Sequence, residues 1–151
     1  MLLSELLSAE RVRIPLVSRT KPDLLRELVE LATGGDAALH DAVLTAVQER
    51  ERVLSTGIGD GVAIPHGRSA RVPELVVAAG AVRDPLEFDA LDGAPVRLFF
   101  LLIGPEHDAS AHIRALSRLA RLLRAAPLRT ALGAAATGDE FIRAIRDAEA
   151  L

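Results

Sequence analysis

"VRLFFLLIG", residues 96–104, is apolar at nearly every position and has the length of a strand. "LVVAAGAV", residues 75–82, repeats that pattern. A strand whose apolar residues do not alternate with polar ones needs cover on both faces. The two runs therefore predict a layered α/β fold in which a mixed β-sheet is flanked by helices on both faces. The segment between them, "RDPLEFDALDGAP" (83–95), is rich in turn formers and is expected to be a loop.

The flanking sequence supplies the cover. "RVRIPLVS" (11–18) reads as a short strand, with Pro15 suggesting an edge. In "TKPDLLRELVELAT" (20–33), Leu24, Leu25, Leu28, Val29 and Ala32 recur at helical spacing. Thr20 is placed to cap that helix, Pro22 is tolerated in its first turn, and Gly34-Gly35 end it. Asp36 can cap a second helix, with Leu39, Val43, Leu44 and Val47 on one face and Arg50 near its end. A long helix is expected from about Ser110 to Ala126, where Pro127 interrupts it. In the last segment Thr137 and Glu140 have capping-box spacing ahead of Phe141, Ile142 and Ile145. Without a repeat or linker, residues 1–151 are expected to form one domain.

Composition narrows the chemistry. Half of the 151 residues are hydrophobic, but the only aromatics are four phenylalanines, so the core must be aliphatic. The net charge of -3 offers no electrostatic case for nucleic acid. With no cysteine, disulfides, zinc-thiolate sites and cysteine nucleophiles are excluded. No run is long enough to span a bilayer, and the N-terminal residues lack a basic leader, so a cytoplasmic protein without direct membrane insertion is expected.

The candidate site lies in "STGIGDGVAIPHGRS", residues 55–69. Ile64 precedes a proline and is pushed toward extended geometry, which makes "VAI" a very short strand. Pro65 restricts the backbone before His66, and Gly67 permits unusual angles after it. Upstream, "TGIGDG" is glycine-rich enough to turn amides toward an anion, yet it lacks the lysine of a P-loop and the spacing of a dinucleotide fingerprint. From spacing alone, a turn histidine in a glycine-rich hairpin is as good a reading. His112 carries Leu116, Leu119 and Leu123 on its own helical face, so it should point inward. Arg50 can offer a forked, permanently charged donor to phosphate oxygens.

"RERVLSTGIGDGVAIPHG" (50–67) closely resembles the active-site segment of the fructose/mannitol-type IIA component of the bacterial phosphotransferase system, type 2, a segment shared with the nitrogen-regulatory IIA proteins. "AHIRALSRLA" (111–120) resembles the family's second histidine motif. The resemblance extends over nearly the whole chain. It implies that His66 accepts a phosphoryl group from HPr or a nitrogen-type HPr paralogue, that His112 supports the phosphohistidine, and that Arg50 stabilises phosphate charge. Ser55, Thr56 and Gly67 fall beside the site, with a hydrogen-bonding role expected of the first two. His40 and His107 match nothing functional and are read as surface residues.

A phosphohistidine donor already carries the transfer energy, so no cofactor is expected and none of the motifs would bind a nucleotide. The absence of cysteine means that a IIB acceptor, if there is one, lies on another chain. A regulatory, nitrogen-type role is slightly favoured, with a relay in fructose/mannitol-type sugar uptake as the alternative. A non-catalytic binding module of the same fold is a further one. A zinc site of His66, His107, His112 and Asp108 is disfavoured, because His107 and His112 are five apart rather than three or four.

Overall fold

The computed structural model describes residues 2–151. The run at 96–104 forms the central strand β6 (Val96–Pro105), and the run at 75–82 forms its antiparallel neighbour β5 (Val76–Leu86). Their side chains divide between two cores as strand alternation requires. Leu98, Phe100 and Leu102 enter one core, while Phe99, Leu101 and Ile103 enter the other. The expectation of helices on both faces holds.

One face is covered by α2 (Lys21–Thr33) and α3 (Ala37–Val53), which bury Leu24, Leu28, Val29, Val43 and Val47. The other is covered by α1 (Leu3–Leu6), α4 (Ala109–Leu122), α5 (Ala126–Ala134) and α6 (Gly138–Glu149). Glu149 joins three of these helices: its carboxylate accepts the Leu3 and Ser4 N–H groups and Arg118 Nε.

The sheet is mixed. β1 (Val12–Leu16) lies at an edge, parallel to β5, as Pro15 suggested. On the far side of β6, β3 (Val62–Ala63) and β4 (His66–Ser69) both run parallel to it, and β2 (Gly57–Gly59) closes the other edge antiparallel to β3. β3 and β4 follow one another along β6, separated by Ile64-Pro65. Pro65 has no N–H to give, but its carbonyl still accepts from the Leu102 N–H at 3.0 Å.

Caps fall where the side chains indicate. Thr20 accepts from the Asp23 N–H, Asp36 from the Leu39 N–H, and Thr137 from the Glu140 N–H. Gly34 ends α2 at φ 63°, in the left-handed region. The Glu140 carboxylate reaches back one residue beyond the usual capping-box partner, to the Ala136 N–H.

Two expectations need correction. β5 continues through Arg83, Asp84 and Pro85 to Leu86, which pairs with Val96 across an irregular register, so the loop begins later than the turn formers suggest. The helix expected to reach Ala126 stops at Leu122. At residue 127 of a continuous helix, proline would leave the Leu123 carbonyl without its i+4 donor and clash with it. Instead Pro127 enters the first turn of α5, and Arg129 Nη1 donates to the Leu123 and Arg124 carbonyls at 2.9 and 2.8 Å.

The tightest approach within the sheet is at Gly80, where a Cβ would strike the Arg13 carbonyl and the Leu16 side chain. Gly80→Ala should therefore push β1 off its edge. The expected cost is about 1–3 kcal/mol in urea unfolding, against a near-neutral effect for a substitution at a surface position such as Glu74. Unchanged stability in Gly80→Ala would refute the close-approach reading.

Candidate functional site

His66 opens β4, and the Pro65 break determines how it is held. Its Nδ1 lies 2.9 Å from the Ile64 carbonyl oxygen. A carbonyl only accepts, so the proton sits on Nδ1 and the lone pair on Nε2. Burial pushes the imidazole below its ordinary range. The bond to Ile64 opposes that shift, the Arg50 charge adds to it, and the Glu51 charge opposes it. The ring is therefore neutral at neutral pH, with Nε2 available as a nucleophile.

His112, in the first turns of α4, is buried at 6% exposure. Its ring stands edge-on to that of His66, with centroids 5.5 Å apart. Burial, then His66, then Arg68 push its pKa down to about 4. Its Nδ1 is sealed in without a partner. Gly104 makes room for this ring: a Cβ there would lie 2.7 Å from His112 Nδ1.

Gly67 solves a similar problem on the opposite side. It lies in regular strand, so its value is not an unusual backbone angle but closeness. A Cβ would lie 3.2 Å from the Val47 nitrogen and 3.3 Å from the Ala46 carbonyl carbon of α3. α3 is thereby drawn against β4, which brings Arg50 and Glu51 within electrostatic reach of His66.

Arg50 is half-buried in the last turn of α3, and its Nη1 donates to the Leu54 carbonyl at 2.7 Å. Its remaining N–H groups are free to meet an anion. Ser55 Oγ donates to the Phe88 carbonyl at 3.0 Å and accepts the Gly57 N–H at 3.1 Å. Thr56 is buried, with its N–H and hydroxyl both on the Glu51 carboxylate, at 3.0 and 2.6 Å. Both side chains are thus engaged with the protein itself.

The glycine-rich segment forms a hairpin. Asp60 and Gly61, both at positive φ, turn β2 into β3 as a hairpin. The Thr56, Gly57 and Asp60 amides are spent on Glu51, Ser55 and Asp92. His107 is exposed, and His40 is half-buried with Nδ1 3.6 Å from Asp41. Among the described residues, no group of three or more His, Cys, Asp or Glu is arranged to hold a metal ion.

Three participants escaped the sequence reading. Arg68 lies two residues beyond His66, on the same side of β4, and its charge acts on His112. Buried Glu51 and half-buried Lys21 form an ion pair behind Thr56, with Lys21 Nζ 2.9 Å from Glu51 Oε1. The available signal was that Lys21 is the only lysine of an arginine-rich chain.

Comparison with known proteins places this geometry. Residues 5–148 match the sequence profile of the family described as "Phosphoenolpyruvate-dependent sugar phosphotransferase system, EIIA 2". The nitrogen regulatory protein of Bradyrhizobium diazoefficiens is 33% identical over 149 residues, which cover 99% of this chain and 91% of that protein. The fructose-specific EIIABC component of Bacillus subtilis is 34% identical over 143 residues, covering 94% of this chain, and the chain spans 22% of that longer protein. The crystal structure of nitrogen regulatory protein IIA-Ntr from Neisseria meningitidis matches with a TM-score of 0.88 at 33% identity, over 95% of this chain and 98% of that one. IIA mannitol from Escherichia coli, at 21% identity and a TM-score of 0.76, shares the fold. No helix among the described residues is long and apolar enough to cross a membrane. The chain belongs to the type 2 EIIA family of the phosphoenolpyruvate-dependent sugar phosphotransferase system, the family that includes the nitrogen-regulatory IIA branch.

Proposed function

We propose that this chain is a phosphohistidine carrier that accepts its phosphoryl group on His66 Nε2 from phosphorylated HPr or a nitrogen-type HPr paralogue. The observation that carries the proposal is the Ile64 carbonyl on Nδ1, 2.9 Å away, which leaves Nε2 unprotonated beside a second buried imidazole. The Nε2 lone pair forms a P–N bond as the donor's P–N bond breaks, and that electron pair returns to the donor imidazole. The His66 proton stays on Nδ1 throughout, so transfer needs no proton acceptor.

The transferring group spreads charge over three equatorial oxygens and needs positive or hydrogen-bonding partners in place beforehand. Arg50 and Arg68 supply permanent charge. His112 contributes a neutral ring. With Nδ1 enclosed and partnerless, its proton belongs on Nε2, where it can donate to a phosphoryl oxygen.

For the onward step we favour a regulatory role in which partner proteins read the phosphorylation state. Its support is the match to nitrogen regulatory proteins over 91% of their length. The second reading, a relay to a cysteine on a IIB domain of another chain, is supported by the 34% identity to a fructose-specific component.

Incubation with phosphoenolpyruvate, the general phosphotransferase enzyme and HPr should add the mass of one phosphate to the parent chain and none to His66→Ala. The adduct should be labile to acid and hydroxylamine. No gain on the parent, with HPr active on a control, would leave a binding module of the same fold.

The neutral state of His112 has a consequence for stability. In the unfolded chain it titrates near its ordinary value of 6.5, and in the fold near 4. Above pH 6.5 both states are neutral and its contribution does not change with pH. As pH falls from 6.5 toward 4 the unfolded state takes up the proton first, so stability is lost. Between pH 7 and 5, His112→Gln should lose about 2 kcal/mol less than the parent in urea unfolding. Parallel pH dependences would show that His112 is not held neutral.

A further inference from the structure

A chain of contacts runs from the surface of α2 to His66. Lys21, the first residue of α2, is held from several sides: its Nζ donates to the Phe88 carbonyl at 3.1 Å, lies 3.6 Å from Asp89 Oδ2, and stands 4.5 Å from the centroid of the Phe88 ring. It also pairs with Glu51 Oε1 at 2.9 Å. Glu51 Oε1 accepts the Thr56 N–H and Oε2 accepts the Thr56 hydroxyl. The Thr56 carbonyl accepts the Ile64 N–H at 3.0 Å, and the Ile64 carbonyl accepts His66 Nδ1–H at 2.9 Å.

Stability alone does not call for this arrangement. Desolvating a carboxylate and an ammonium offsets most of their attraction, and an apolar pair of similar volume commonly serves as well. The position of the pair suggests a different use. Glu51 holds the N–H and hydroxyl of Thr56, and the Thr56 carbonyl holds the N–H of Ile64, the residue whose own carbonyl sets the His66 tautomer. The other charge that reaches the imidazole is Arg50 on α3; His112 on α4 faces it as a neutral ring, with Arg68 acting on His112. Glu51 is the one negative charge in that set.

We infer that Glu51, anchored by Lys21, is a positioning residue for His66: through Thr56 it holds the Ile64 carbonyl that keeps the ring protonated on Nδ1, and its charge balances the positive ring formed when Nε2 is substituted. The second half rests on the proposed phosphoryl transfer, whereas the first half stands on the contacts alone.

The test is long-range proton–nitrogen NMR of the 15N-labelled full chain, following the His66 imidazole through a pH titration. The variants are Glu51→Gln, Thr56→Val and Thr56→Ser, and each is also assayed for phosphoryl uptake from HPr. The parent and Thr56→Ser should show the Nδ1–H tautomer. Glu51→Gln should lose part of that tautomer and titrate at lower pH. Its uptake should slow about tenfold, with the KM for phospho-HPr unchanged. Thr56→Val, which keeps the Glu51 charge but loses the 2.6 Å bond, should lose tautomer preference with less change in titration. A folded Glu51→Gln with the parent's tautomer and midpoint would overturn the inference. Should Glu51→Gln not fold, an unaltered tautomer in Thr56→Val would overturn it instead. A tautomer shift in the variants with no phosphate uptake by the parent would retain the positioning role and reject the carrier function.

Discussion

The hydrogen bond from His66 Nδ1 to the Ile64 carbonyl is the interaction around which the rest of the site is arranged. It spans two residues, so it depends on the local path of the backbone. That path exists because Pro65 breaks the strand between β3 and β4 without letting it leave β6. Pro65 forgoes its N–H, yet its carbonyl still accepts from Leu102, and His66 resumes pairing opposite Leu102 one residue later. A residue with free backbone angles at 65 would permit a continuous strand. Ile64 gives its N–H to the Thr56 carbonyl, facing away from β6, and its own carbonyl meets the ring.

Two glycines bring the neighbours close enough to matter. At Gly67 the missing side chain lets α3 lie against β4, which carries Arg50 and Glu51 to the ring. At Gly104 it lets His112 enter from α4 on the opposite side. His66 therefore sits between two helices that belong to different cores, and its surroundings need both faces of the sheet covered. The nearly all-apolar pattern of β6 and the geometry of the site are consequences of one architecture.

Much of this was legible in the sequence for identifiable reasons. Continuous apolar runs announce two-sided burial, and Thr20, Asp36 and Thr137 announce helix starts, because both signals act within a few residues. Pro65-His66-Gly67 marked a held side chain for the same reason. What escaped depends on distance in the fold. Gly67 and Gly104 look like flexible residues until the helices they admit are in place. The glycines that could suit an anion cradle turn a hairpin at Asp60-Gly61, and the Thr56, Gly57 and Asp60 amides are held by Glu51, Ser55 and Asp92. Lys21 and Glu51 are thirty residues apart and meet only once α2 and α3 pack on one face.

The electrostatics then follow from placement. A neutral imidazole is the better nucleophile, whereas a substituted one carries positive charge, so a site that only repelled protons would also resist the product. Burial and Arg50 favour the neutral ring, while the Ile64 carbonyl and Glu51 tolerate the charged one. Arg50 acts from the last turn of α3, while Glu51 is also linked to the Nδ1 side of the ring through Thr56 and Ile64. Under the proposed carrier function, that balance would let one histidine both accept and release the group, because its neighbours do not all favour one state of the ring.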